Sequence, residues 1–506
     1  MNAFLSFNNV TFGYDGVADA LFDGLNLSLP TGWTGIAGAN GSGKSTILHL
    51  AAGLLNPSSG RVAVSGPVAY CEQRTDDAPD GFDDFLMSTD REALTLRRRL
   101  AVDTGWGGRW STLSHGERKR AQIAVALWRD PVVLAIDEPT NHLDAVARQM
   151  LAEALRSFQG VGLLVSHDRE LMDSLCRQTL LLRGEPVMRP GGYSVAVKQA
   201  VDEDDALRDE YARRKRDAER LAAEAARRRQ EAQQADRKRS KKHLALRDHD
   251  GRSRIDAARV SGADGRAGRL ASQLDGRVDS ARRQLAEVQI GRRHEVNFWL
   301  PESRADRPVL HSQPGRTVAV AEQRTLELPE LTIERGDRIA LAGVNGAGKS
   351  TLIRILLSEL NLPEDRIVYL PQEIDASTSA RIMAEVNGLS RARLGDVMTI
   401  VNCLGSSPKR LVGNVDVSPG ELRKVMLALG IVKNPWLIVM DEPTNHLDLP
   451  AVEALEVALA DSPCALLLVS HDARFLSRLT SIEWRIELST GDISRLRTTF
   501  NKIREF

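Results

Sequence analysis

Short apolar runs alternate with longer amphipathic stretches at both ends of the 506-residue chain, whereas its middle lacks the apolar runs. Residues 33–37 (WTGIA), 132–136 (VVLAI) and 161–165 (VGLLV) are too short for stable helices and are almost continuously apolar. Each runs into glycine or polar residues. That is the pattern of strands buried on both faces, whose carboxyl ends carry a site. Residues 338–342 (RIALA), 436–440 (WLIVM) and 465–469 (ALLLV) repeat it in the second half. With helical stretches between the runs, each end is predicted to be an α/β domain with a mainly parallel sheet.

From 201 to 249 the chain is dense in Arg, Lys, Glu, Asp and Ala, without Pro or Gly, and reads as one long helix. Leu207, Tyr211, Ala218, Leu221, Ala225, Ala232 and Ala235 form a heptad seam interrupted by Arg214 and Arg228. After a glycine-containing stretch, 250–268, a second seam runs through Ala267, Ala271, Leu274, Val278, Ala281, Leu285 and Val288. Two seams joined by a loop predict an antiparallel helical hairpin. A helix of about 45 residues extends about 70 Å. The expected division is 1–195, a linker at 196–300, and 301–506.

The two ends also share chemistry. GANGSGKS at 38–45 answers GVNGAGKS at 343–350, and LSHGE at 113–117 answers VSPGE at 417–421. DEPTNHLD occurs at 137–144 and 441–448, and VSHD at 165–168 and 469–472. Lys44 and Lys349 are 305 positions apart, while Ser114 and Ser418, Glu138 and Glu442, and His167 and His471 are each 304 apart. One module is therefore duplicated.

A GxxxxGK[ST] run between strand and helix is a phosphate loop. Gly38, Gly41 and Gly43, with Asn40, let backbone amides turn toward phosphates; Gly343, Gly346 and Gly348, with Asn345, do so in the second copy. Lys44 and Lys349 are placed to reach the β and γ phosphates, and Ser45 and Ser350 to ligate Mg2+, with Thr46 and Thr351 following in the helix. At the strand ends, Asp137 and Asp441 suit the metal shell, and Glu138 and Glu442 suit the orientation or deprotonation of an attacking water. ATP, Mg2+ and ATP hydrolysis are expected.

Composition narrows the setting. Net charge is zero, so no global case exists for nucleic-acid binding, but residues 227–269 hold 14 Lys or Arg against 6 Asp or Glu. Arg237, Lys238, Arg239, Lys241 and Lys242 are the sharpest part, candidates for phosphate-backbone contact at the hairpin tip rather than a solvated face. Cys71, Cys176, Cys403 and Cys464 lack metal-ligand spacing and read as reduced core thiols. Neither a secretory signal nor a run of ~20 apolar residues is evident, so a cytoplasmic protein is expected.

These elements resemble the ATP-binding cassette superfamily, across both terminal regions. The resemblance implies that the signature of one cassette faces the phosphate loop of the other. Ser114, Gly116 and Glu117 would then complete the site on Lys349, and Ser418, Gly420 and Glu421 the site on Lys44. It further implies that Gln73 and Gln372 sense magnesium and water, that His167 and His471 contact the γ phosphate, and that Tyr14 stacks on adenine. Two departures stand out: Ser-His-Gly and Ser-Pro-Gly replace the usual Ser-Gly-Gly, and VAVA at 318–321 offers no aromatic matching Tyr14. Unequal sites are expected.

Two cassettes, no membrane span and a charged hairpin linker are similar to the ABC-F class. That implies a monomer which, with ATP bound, occupies the ribosomal tRNA exit site, points its linker toward the peptidyl-transferase centre and tRNA, and leaves on hydrolysis. Only 76 positions separate Gly38 from Ser114, leaving no room for an inserted arm, which resembles the antibiotic-resistance branch. The rival readings are a DNA-binding ATPase in repair and the soluble motor of a transporter.

Overall fold

A computed structural model describes residues 3–16, 19–141, 143–238, 263–286, 299, 301–321, 324–344, 346–406, 418–445, 447–488 and 493–500. In the first module a six-stranded sheet runs in the order Val68–Cys71, Val133–Asp137, Val161–Val165, Gly32–Gly38, Cys176–Arg183 and Glu185–Pro190. All neighbours are parallel except the last pair. Ile367–Leu370, Leu437–Asp441, Ala465–Val469, Arg338–Ala342 and Ile482–Leu488 repeat the order inside an eight-stranded sheet. Val161–Val165, Arg338–Ala342 and Ala465–Val469 match the predicted strands; Val133–Asp137 and Leu437–Asp441 each start one residue later and take in the terminal Asp.

The apolar runs are buried because helices cover both sheet faces. Val133, Leu134, Ala135 and Ile136 are inaccessible, as are Leu437, Ile438 and Met440. Registers place Asp137 beside Val165 and Asp441 beside Val469, so in each sheet the carboxylate and the loop that carries His167 or His471 leave adjacent parallel strands at the same edge. A separate antiparallel sheet, Phe22–Leu29, Leu5–Phe12 and Ser59–Val64, supplies Phe7, Val10 and Phe22 to the first core.

Contacts divide the chain into residues 1–196 with 294–506, and residues 197–293. The described part of the second unit is two packed helices. Its first helix belongs to Tyr193–Lys238 and starts eight residues earlier than the charged stretch predicts. The YSVAVKQA segment holds Tyr193, Val195 and Val197, residue types that favour strands, but Tyr193 and Ala196 are buried and packing overrides that weak preference. The second helix, Ala263–Ala286, begins inside the predicted loop and carries Gly265 and Gly268. Ala225, Leu274 and Val278 form a buried cluster joined by Leu221 and Ala222. Arg214 bonds the carbonyl of Gln284 and Arg229 pairs with Asp275 at 2.6 Å, a decreasing register that makes the helices antiparallel. Arg239, Lys241 and Lys242 lie outside the described residues, as do the side chains of Arg237 and Lys238 and the position of Val288.

The cysteines are free, and Cys71, Cys176 and Cys464 are buried. Cys403, expected in the core, is only half-buried: it closes the helix Arg391–Cys403, and its neighbours Val401 and Leu404 take the core positions.

Candidate active site

Gly32–Gly38 delivers the chain to the phosphate loop, and Lys44–Ala51 continues from it. The turn between them needs glycine. Gly43 sits at φ +94, where an added Cβ would come within 2.4 Å of the Phe22 ring; Gly348 sits at φ +100 in the second copy. Both helices therefore open with free N–H groups facing the loop. Lys44 Nζ donates to the carbonyls of Gly38 (3.0 Å) and Ala39 (3.1 Å), and Lys349 Nζ to those of Gly343 (2.7 Å) and Val344 (3.2 Å). Burial lowers the pKa of both lysines, opposed by Glu138 and Glu442 respectively.

The strand ends are matched as closely. Ser45 Oγ donates to Asp137 Oδ2 at 2.6 Å, and Ser350 Oγ to Asp441 Oδ2 at 2.6 Å. A hydroxyl and a carboxylate oxygen converging this way are the hard donors Mg2+ takes from a protein when phosphates and water fill its remaining positions. The next residues, Glu138 and Glu442, are held at φ +46 and +51, a left-handed conformation that costs energy for a side-chain residue. The bend turns each carboxylate back under its own histidine. His167 N donates to Glu138 Oε2 at 3.0 Å and its Nε2 lies 3.2 Å from Oε1; the corresponding distances from His471 to Glu442 are 3.2 and 3.5 Å. Burial, with the Asp137 charge beside it, pushes Glu138 up to about 8, and burial pushes Glu442 up to about 7. Carboxylates tuned toward neutrality suit proton abstraction from water. Burial, with Arg148 and Lys349 nearby, drives His471 down to about 4, so it is neutral at pH 7.

Two clefts lie over these residues. The first, about 710 Å³, is lined by Tyr14, Asn40, Gly41, Gly43, Lys44, Ser45, Thr46, Gln73, Asp137, Glu138 and His167, together with Ser418, Pro419 and Gly420 of the second module. The second, about 380 Å³, is lined by Val320, Gly346, Gly348, Lys349, Ser350, Thr351, Gln372, Asp441, Glu442 and His471, together with Arg148 of the first module. Ser114, Gly116 and Glu117 are not among its lining residues. Val320 lines the second cleft where the first has Tyr14, whose hydroxyl lies 2.9 Å from Thr46 Oγ1 and whose ring meets Phe12 edge-on. Asn345 lies outside the described residues.

The signature glutamates serve their own helices. Glu117 Oε2 accepts from Ser114 N and Oγ, both at 2.8 Å, while Ser114 Oγ accepts from Glu117 N; Ser418 and Glu421 repeat this capping box. Neither Glu117 nor Glu421 lines a cleft, so the structure gives both a helix-capping role.

Sequence reasoning missed the residues that brace the site. Lys119 and Arg423, corresponding positions on the helices His115–Trp128 and Pro419–Ile431, are both buried. Lys119 Nζ holds the carbonyl of Glu72 at 2.5 Å; Arg423 holds those of Gln372 and, at 2.8 Å, Glu442. For Arg423 the available signal was a cation beside Gly420, Met426 and Leu427 on one helix face; Lys119, between Arg118 and Arg120, offered none. Asp448 bonds the amide of Asn40 at 2.7 Å across 408 positions, and no local pattern announces that contact.

The model of the ABC transporter family matches residues 22–141 and 326–445, the same two modules. Ribosome protection protein VmlR of Bacillus subtilis is 28% identical over 95% of this chain and 86% of its own length. Tylosin resistance ATP-binding protein TlrC of Streptomyces fradiae is 30% identical over 97% of this chain and 98% of its own. Among solved structures, the archaeal ribosome recycling factor aABCE1, in complex with the stalk protein aP1, superimposes with a TM-score of 0.61 at 19% identity over 96% of this chain and 89% of its own, a likeness of fold.

Proposed function

Because the chain belongs to the ABC-F class of the ATP-binding cassette family, we propose that its two cassettes form an ATP-driven clamp acting on the ribosome. The chain is an ATPase, and among the described residues no helix is long and apolar enough to cross a membrane. The assignment is residues 1–195 and 301–506 as cassettes and 196–300 as the linker. One observation carries the clamp: the cleft over Lys44 is also lined by Ser418 and Gly420, so one nucleotide there touches both cassettes.

Each ATP lies on a phosphate loop, its β and γ phosphates against Lys44 or Lys349. Tyr14 stacks on the first adenine, and Ser114 and Gly116 reach the second nucleotide only on further closure. Glu138 and Glu442 take the proton of the attacking water as its oxygen bonds the γ phosphorus and the bond to the bridging oxygen breaks. His167 and His471 orient that phosphoryl group. Mg2+, held by Ser45 with Asp137 and by Ser350 with Asp441 and sensed by Gln73 and Gln372, supplies charge neutralisation when bound. Loss of the γ phosphate removes the shared ligand and opens the clamp.

Relatives named for ribosome protection and tylosin resistance support a ribosomal load and the antibiotic-resistance branch. In this reading the ATP-bound monomer occupies the tRNA exit site in the cytoplasm, its linker reaches toward the peptidyl-transferase centre and the neighbouring tRNA, and the basic run at 237–242 meets RNA phosphates. The combined Glu138→Gln and Glu442→Gln variant is expected to co-sediment with ribosomes in ATP. Free sedimentation of that variant refutes the proposal.

A further inference from the structure

The cassette boundary carries an asymmetry. Asp144 caps the helix Ala145–Arg156 through Ala147 N at 2.8 Å, and Arg148 follows in its first turn. From there Arg148 crosses to the second cassette, where Nη1 donates to the His471 carbonyl at 2.8 Å. Its side chain lines the second nucleotide cleft beside Lys349, Ser350 and Glu442. It also lines a polar cavity of about 40 Å³ between the loops of His167 and His471. Asp168 of its own cassette is 3.9 Å away, too far for a hydrogen bond. The buried Nε has no hydrogen-bond partner among the described residues.

Duplication does not account for this placement. The corresponding residue of the second cassette is Val452, packed in an apolar core. The first cleft thus receives Ser418, Pro419 and Gly420 from across the boundary, and the second receives an arginine.

We propose that Arg148 completes the second nucleotide site in trans by bonding the terminal phosphate of the ATP held on Lys349. The inference rests on the assignment of both clefts as ATP sites. A guanidinium offers two parallel donors to phosphate oxygens, and its charge opposes the charge that builds there as the phosphoryl group leaves. The bond to the His471 carbonyl ties the guanidinium to the loop that carries the histidine. The second site is then complete in charge only while the cassettes meet. Among the described residues, separation withdraws a cation from the second site but none from the first.

The test uses full-length protein carrying Glu138→Gln and Glu442→Gln, which binds without turnover. Adding Lys44→Ala leaves the second site, and adding Lys349→Ala leaves the first. Binding of the N-methylanthraniloyl derivatives of ATP and ADP is followed by fluorescence. Arg148→Ala is expected to weaken ATP at the second site by about tenfold or more, as loss of a charged hydrogen bond does. The change for ADP at that site, and for ATP at the first site, stays within about twofold. Arg148→Lys recovers part of the loss, since it keeps the charge without the fork. Equal weakening of ATP and ADP by both Arg148 variants, equal weakening at both sites, or no weakening overturns the inference. If neither single-site parent binds ATP saturably, the assignment of the clefts falls instead.

Discussion

The contact between the cassettes contains a charge cluster whose energetics can be worked out and measured. Arg169 opens the helix Arg169–Leu175 and is 2% exposed. Its Nη2 pairs with Glu456 and, at 2.8 Å, with Asp472, both from the second cassette. Glu456 is 0% exposed, and its other oxygen lies 3.1 Å from Arg478 Nη1. The equivalents of Arg169 and Glu456 in the opposite cassettes are Ala473 and Ala152, so the cluster exists once. Removing one member of a buried pair costs about 3–5 kcal/mol, because the remaining charge stays desolvated. In Arg169→Met, Arg478 still satisfies one oxygen of Glu456, and Asp472 still caps its helix through Phe475 N. The loss should therefore sit at the low end, about 3 kcal/mol. Adding Glu456→Met removes the stranded carboxylate, and the double variant should lie within about 1 kcal/mol of the parent. Urea unfolding of the full chain, followed by tryptophan fluorescence and completed as a double-mutant cycle, reads both numbers. A cost below about 1 kcal/mol for Arg169→Met, or a double variant worse than either single one, would refute the reasoning.

Further outcomes follow from individual residues. Tyr14→Ala should weaken adenine-nucleotide binding at the first site by about 1–3 kcal/mol, the usual range for a base–aromatic stack, while Val320→Tyr should strengthen the second; nucleotide titration of single-site proteins checks both. Hydrogen bonds from Ala93 N, Ser88 and Trp128 hold Asp90, the N-cap of Arg91–Arg99, down at about 2. Its ionised form therefore stabilises the fold above the ordinary carboxylate pKa of about 3.9 and loses that effect as pH falls through about 2. Asp90→Asn, which still caps, should flatten the acid limb of a melting-temperature profile. Burial raises the thiols of Cys71 and Cys176 to about 12 and Cys464 to about 11. Alkylation mapped by mass spectrometry should therefore find half-buried Cys403 first.

What the sequence discloses is what neighbouring residues enforce. A phosphate loop requires glycine where φ is positive, and an apolar run ending in Asp-Glu can hardly be anything but a buried strand opening onto a site. Both modules and the pairing of Ser45 with Asp137 were therefore legible. The serine-glycine signature was legible as a motif, but its division of labour was not. Glu117 and Glu421, three residues after Ser114 and Ser418, also fit an N-terminal capping box, and the structure shows them in it. Between the cassettes, the approach of Ser418 and Gly420 to the cleft over Lys44 was foreseen only through the family resemblance, and the charge cluster left no trace. Arg169 and Glu456 are 287 positions apart, and a single arginine in an ordinary helical turn looks the same whether it faces solvent or another domain. The early start at Tyr193 was hidden because tertiary burial, absent from propensity, decides helix ends.

Glu138 and Glu442 share a positive φ that glycine would adopt freely. At about 1–2 kcal/mol for each left-handed residue, the pair gives up a noticeable part of a fold's net stability of about 5–15 kcal/mol. Any search for thermostable variants will be drawn to these positions, where Glu→Gly relaxes the backbone and also removes a buried carboxylate. Such variants should melt later and turn over nothing. Heat resistance and turnover are opposed at two known addresses, so a selection that scores only the first will dismantle the motor while appearing to improve the protein.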